Sequence, residues 1–184
     1  MSCRPSARSH GSQREGRIRS KRHGLDTARY RLTLARLLDV PVAAVRGHVI
    51  GEHGEAAVVC ASSTTVNGAP VRVPLEWVRA ELAERPGRIS AGIRRTRHGP
   101  AGALVSALRL ALGAEDGVTE LSAPYEGVCL GIPLQFTGGR PLPCVPPLDE
   151  AEARQLEVAR SKLRAACQAV RCIPFPPLPS GRKS

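Results

Sequence analysis

The sequence predicts a mixed α+β domain in which helices pack on largely antiparallel sheets. Three observations carry that expectation. Apolar residues recur at helical spacing over 25–38, 101–112 and 149–170. Between them lie short β-branched runs joined by Asn67-Gly68 and Gly138-Gly139, dipeptides that tolerate the positive φ of tight hairpins. The regular strand–helix alternation of a parallel sheet is absent.

The elements follow in order. Leu25, Ala28, Leu32 and Ala35 form a stripe, widened by Leu34, Leu37 and Leu38, that predicts an amphipathic helix ending near Asp39, ahead of Pro41. Residues 45–50 read as one strand. Residues 56–66 read as a second, returning through Asn67-Gly68 to Val71 and Val73. Pro74 suits a first helical position, and 75–83 follows as a short helix expected to break at Pro86-Gly87. Leu104, Leu108 and Leu112 mark the expected buried face of the next helix. A β-rich block covers 118–121, 128–136 and 142–145. A long helix over 149–170 closes the body, with Ala153, Leu156, Ala159, Leu163 and Ala166 on its apolar side and Asp149-Glu150 at its positive end.

Composition narrows the function. The chain has 184 residues and a formal charge of +11, but seven basic residues against one acid stand in the first 23 positions. The remaining body carries only +5. Residues 1–23 are therefore expected to be a disordered basic tail, and 173–184, with four prolines, a second tail. With 3% aromatic residues there is little material for stacking on bases, so nucleic acid is not the expected partner. The six cysteines show no CxxC spacing, which argues against a zinc ribbon, and Cys60 and Cys129 are expected to be buried in apolar strands. His48, His53 and Glu55 lack the spacing of a metal site, so no metal is expected. The sequence shows neither an apolar leader nor a run of about 18 apolar residues, and a soluble, cytoplasmic protein is the expectation.

Two segments carry chemistry. In Gly24-Leu25-Asp26-Thr27-Ala28-Arg29-Tyr30-Arg31, Asp26 and Arg29 lie three apart and project from one side of a helix start. In Val49-Ile50-Gly51-Glu52-His53-Gly54-Glu55, a histidine stands between glycines at the end of an apolar strand, where a rigid element holds the ring accessible. Taken singly, each is as compatible with a surface ion pair or a structural histidine.

Together these segments resemble the substrate domain of the NAD-dependent lactate/malate dehydrogenase family, and the gap from Asp26 to His53 fits that family's spacing. Further similarity follows in order: Ser62-Ser63-Thr64-Thr65-Val66 with Gly68-Ala69-Pro70, then Thr96 with Gly99-Pro100-Ala101, Leu130-Gly131-Ile132-Pro133, and Leu148-Asp149-Glu150. The resemblance implies a C-terminal catalytic domain of that family over 24–172. Arg29 would bind the substrate carboxylate through paired charge-assisted hydrogen bonds. His53 would exchange the hydroxyl proton, Asp26 would fix the imidazole tautomer, and Thr96 would line the pocket.

The resemblance also implies NAD as cofactor and a 2-hydroxy or 2-oxo acid (lactate/pyruvate or malate/oxaloacetate) as substrate. No G-x-G-x-x-G run for a dinucleotide occurs in this sequence. The chain is therefore expected to be half of an enzyme, truncated or joined to a foreign start near Gly24, and inactive alone. A separate NAD-binding chain, or association into a homo-oligomer, is the partner that expectation allows. A non-enzymatic protein with a nucleic-acid-binding arm is the alternative.

Overall fold

The computed structural model describes residues 22–93 and 98–171. The expected tails over 1–23 and 173–184 lie outside the described residues, except for Arg22 and His23, which open the first helix.

Helix α1 spans Arg22–Leu37 and ends as the chain turns through Asp39, at a φ of 51°. A 3₁₀ turn over Val42–Ala44 leads to β1 (Val45–Arg46) and β2 (Val49–Gly51). Then come β3 (Ala57–Val59), β4 (Thr65–Val66) and β5 (Ala69–Pro70). Helices α2 (Leu75–Ile93) and α3 (His98–Ala111) precede β6 (Gly117–Tyr125), β7 (Val128–Thr137), β8 (Arg140–Pro143) and α4 (Glu150–Arg171). All strand pairs among the described residues are antiparallel, as expected.

The expected strand over 45–50 is two strands in two sheets. Strands β1, β4 and β5 form a small sheet, while β3, β2, β7 and β6 form a larger one with β8 against β7. The break falls at Gly47, where a Cβ would stand 2.6 Å from the Tyr30 ring and 2.8 Å from Thr64 Oγ1. Only a glycine lets the backbone pass that close. The run over 56–66 also splits, because Ser62 is tied down: its N–H and its hydroxyl donate to Glu152 at 2.8 and 2.6 Å. The hairpin at Asn67-Gly68 forms with both φ angles positive, 51° and 81°.

Four further expectations need correction. Helix α2 does not stop at Pro86 but continues to Ile93. Beyond the proline Arg88 pairs with Glu84 at 3.0 Å and Glu81 at 2.5 Å, side-chain contacts that span the turn from which a proline removes a backbone donor. In α3, Leu108 and Leu112 are exposed and Leu104 is half-buried, whereas Ala107 and Leu110 enter the core. That helix is apolar on nearly every side, so spacing alone does not select a face. In α4 Leu156 and Ala159 are buried, but Ala153 and Ala166 are exposed. Cys60 is buried as expected; Cys129 is exposed, placed by strand alternation opposite its buried neighbours Val128 and Leu130.

Two cores lie on opposite sides of β2. Ile50 and Val58 join Leu121, Leu130, Ile132, Phe136 and Leu156. Val49 and Val59 join Tyr30, Leu34, Val45 and Val78. The register pairs Val49 with Val59 and Ile50 with Val58, so adjacent residues of one hairpin serve different cores. Each fully buried large aliphatic side chain contributes about 1.5–3 kcal/mol. The turn between β2 and β3, which carries His53, is thus anchored from both sides.

Candidate active site

The site forms where the start of α1 meets the β2–β3 turn. Thr27 fixes that meeting. Its buried hydroxyl accepts the Val49 N–H at 3.0 Å and lies 3.4 Å from the Val49 carbonyl. Gly51, at a φ of 93°, ends β2 beneath α4; a Cβ there would stand 3.3 Å from that of Ala159. Glu52 then accepts the Ala56 N–H at 3.3 Å and an ion pair from Lys162 at 2.9 Å, bracing the turn.

These anchors bring together three of the four expected site residues. His53 Nδ1 donates to Asp26 Oδ2, and Arg29 Nη1 donates to Asp26 Oδ1 at 3.3 Å. The carboxylate partner assigns the proton to Nδ1 in the neutral ring, leaving Nε2 as the basic nitrogen. Asp26 and Arg29 are mostly shielded (side chains 15% and 14% exposed) while His53 is 34% exposed. A shielded pair therefore orients a ring that reaches the surface of the cleft. Thr96, the fourth expected residue, lies outside the described residues.

The cleft has a volume of about 1090 Å³. Asp26, Arg29 and His53 line one part of it; Ala57 and Val59 of β3 form its floor. Helices α2 and α4 contribute Arg79, Leu82, Gln155, Val158 and Lys162. None of these helix residues stood out in the sequence. Gln155, Val158 and Lys162 do lie three and four apart, which places them on one helix face. Glu152, also missed, carries a readable signal: with Asp149 it has the spacing of a capping box. Asp149 Oδ1 accepts the Glu152 N–H at 2.8 Å, and Glu152 Oε2 accepts the Asp149 N–H at 3.2 Å.

A second polar cluster lies elsewhere. Glu120, buried on β6, pairs with His48 Nδ1 at 2.6 Å and stands 4.0 Å from Arg31. His48 and His53 thus serve different carboxylates, and among the described residues no three His, Cys, Asp or Glu side chains are grouped to hold a metal.

Residues 24–86 match the family model for the lactate/malate dehydrogenase, alpha/beta C-terminal domain. Over those residues the chain is similar to a lactate/malate dehydrogenase C-terminal domain. It is 36% identical over 106 residues to a malate dehydrogenase of Sulfurisphaera tokodaii, covering 55% of this chain and 34% of that protein. An L-lactate dehydrogenase of Lactobacillus delbrueckii subsp. bulgaricus is 34% identical over 110 residues, covering 56% and 36%. An L-2-hydroxycarboxylate dehydrogenase (NAD(P)(+)) of Methanocaldococcus jannaschii is 26% identical over 126 residues, covering 61% and 40%.

The chain thus spans 34% to 40% of the length of these relatives. Its fold is also that of a minor L-lactate dehydrogenase of Enterococcus mundtii, with a TM-score of 0.74 at 24% identity over 82% of this chain and 54% of that one. The malate dehydrogenase of Salinibacter ruber gives 0.72 at 23% identity over 81% and 53%. The α+β architecture with its long final helix is the one this family's C-terminal domain adopts. Among the described residues no helix is long and apolar enough to cross a membrane.

Proposed function

We propose that this domain binds a 2-hydroxy or 2-oxo acid and moves its hydroxyl proton, the substrate half of a NAD-dependent dehydrogenase reaction. The observation that carries the reading is the Asp26 carboxylate, which holds both Arg29 and His53 in one cleft. Arg29 offers the substrate carboxylate a planar fork of N–H donors. His53 Nε2 accepts the hydroxyl proton as the carbinol is oxidised and returns it on reduction. Asp26 keeps the imidazole in the required tautomer and stabilises it when doubly protonated, without itself taking the proton. Thr96 belongs to this reading through its sequence motif alone.

NAD supplies the hydride chemistry when bound, yet the described residues do not fit it. Their positive-φ glycines close hairpins at Gly68, Gly127, Gly138 and Gly139 or flank other elements, and none opens a helix after a parallel strand. That arrangement is what cradles a pyrophosphate. The dinucleotide would be held by groups outside the described residues, on the same polypeptide or on a separate chain. Titration calorimetry of the chain with pyruvate tests the reading. Arg29→Gln is expected to weaken binding about tenfold or more, with Arg29→Lys intermediate, because a charge-assisted pair contributes roughly 1.5–3 kcal/mol. Equal affinity in all three proteins would refute it.

A further inference from the structure

The turn that carries His53 is folded around one carboxylate. Glu52, its side chain 18% exposed, accepts the Ala56 N–H at 3.3 Å, and a Cβ on Gly54 would stand 3.1 Å from its Oε1. The Gly54 carbonyl closes the wrap by accepting the Ala57 N–H at 3.1 Å. His53 stands inside it, between Glu52 and Gly54. A single backbone hydrogen bond of that length does not compensate a shielded carboxylate for the water it has lost. Lys162 does: its Nζ lies 2.9 Å from each oxygen, so the ammonium bridges the two. The bridge joins the turn to α4, a helix that other contacts fix. Glu152 ties it to Ser62, Arg160 pairs with Glu126 at 2.6 Å, and Leu156 enters the core. The residue type is informative too. Lys21 and Lys183 lie outside the described residues, so Lys162 is the one lysine among them. Histidines apart, every other cation paired there with a carboxylate is an arginine. A guanidinium meets a carboxylate through separate nitrogens of a planar fork, whereas a compact ammonium sits between both oxygens.

We propose that Lys162 is a positioning residue for His53: through Glu52 it fixes the turn that presents the imidazole to Asp26. This rests on the proton-handling role given above to His53. Half-exposed ion pairs contribute little to global stability, so the consequence of losing this one falls on the turn it holds. Without the ammonium, the Glu52 carboxylate turns toward water and the wrap loosens. The imidazole then samples several placements against Asp26, and a site of this kind tolerates little misplacement.

Imidazole ¹⁵N–¹H spectra of the full chain, recorded without and with pyruvate, test this in wild type, Lys162→Met, Lys162→Arg and Glu52→Gln. Thermal melts of the variants are expected within about 4 °C of wild type, as loss of a half-exposed pair implies. In Lys162→Met the His53 resonances should shift, and the Nε2 response at saturating pyruvate should fall about twofold or more. Lys162→Arg should recover part of that response, and Glu52→Gln should perturb His53 as Lys162→Met does. His48, held by Glu120 on β6, is the internal reference, and its signals should stay as in wild type. His53 signals unchanged in Lys162→Met overturn the positioning role while wild type still answers to pyruvate. His48 signals displaced as far as those of His53 also overturn it, because the ion pair then supports the whole fold. Wild-type His53 signals that ignore pyruvate remove the underlying functional reading, and the positioning role falls with it.

Discussion

At the scale of single residues, the geometry of the site depends on groups that never touch a substrate. Tyr30 is fully buried, and its hydroxyl lies 2.7 Å from Thr64 Oγ1, which donates in turn to the Cys60 carbonyl at 2.7 Å. Burial pushes the Tyr30 pKa up to about 12, and also pushes the Cys60 thiol well above its ordinary range. Between pH 10 and 12 the unfolded chain releases the phenolic proton while the native state retains it. Stability from this group is therefore complete below pH 10 and declines as pH rises toward 12, by about 2–3 kcal/mol. Urea unfolding at stepped pH should show that decline in wild type, and Tyr30→Phe should have a flatter profile over the same window. Parallel profiles would contradict the assignment.

Legibility at this scale was uneven for a physical reason. Asp26 and His53 stand in local motifs whose residues lie together along the chain. Arg79 enters the cleft only because α2 packs beside α1 and α4, a tertiary fact with no local signature.

At the scale of elements, helices were easier to foresee than strands. Helix α1 forms where its Leu and Ala stripe placed it, and α4 where Asp149 caps it. The strands over 45–66 are only two or three residues long, and their boundaries are set by distant contacts: the Tyr30 ring against Gly47, and Glu152 beneath Ser62. The sequence marks helix α3 but not its buried face, since Leu108 competes with Leu110 on a helix that is apolar on nearly every side.

Glu152 gives the element-scale test. Its carboxylate serves both the α4 cap and the loop after β3, so Glu152→Ala removes hydrogen bonds from Ser62 and Asp149 at once. A loss of roughly 2–4 kcal/mol is expected in chemical denaturation. A change below about 0.5 kcal/mol would show that the loop does not lean on α4.

At the scale of the whole molecule, the β2–β3 hairpin joins two cores, which predicts that they unfold together. Val58→Ala and Val59→Ala lie next to each other but reach different cores. Each should cost roughly 1–3 kcal/mol and shift one common calorimetric transition. Two separated transitions would mean that the cores are independent and that the turn bearing His53 is held from one side only. Charge teaches a related lesson at this scale. The +11 of the chain says little about function, because the reading depends on where five or six side chains converge, whereas much of the excess stands before the first described helix.

The central claim is that Asp26, His53 and Arg29 act as one acid-handling site. The most direct measurement follows the ¹⁵N resonances of the His53 imidazole during titration of the chain with pyruvate, alongside Asp26→Asn. In wild type, Nδ1 should remain protonated while the Nε2 resonance shifts in proportion to acid bound; in Asp26→Asn the tautomer preference should weaken and the response should diminish. Pyruvate that binds while the His53 resonances stay unmoved would place the acid somewhere other than this site.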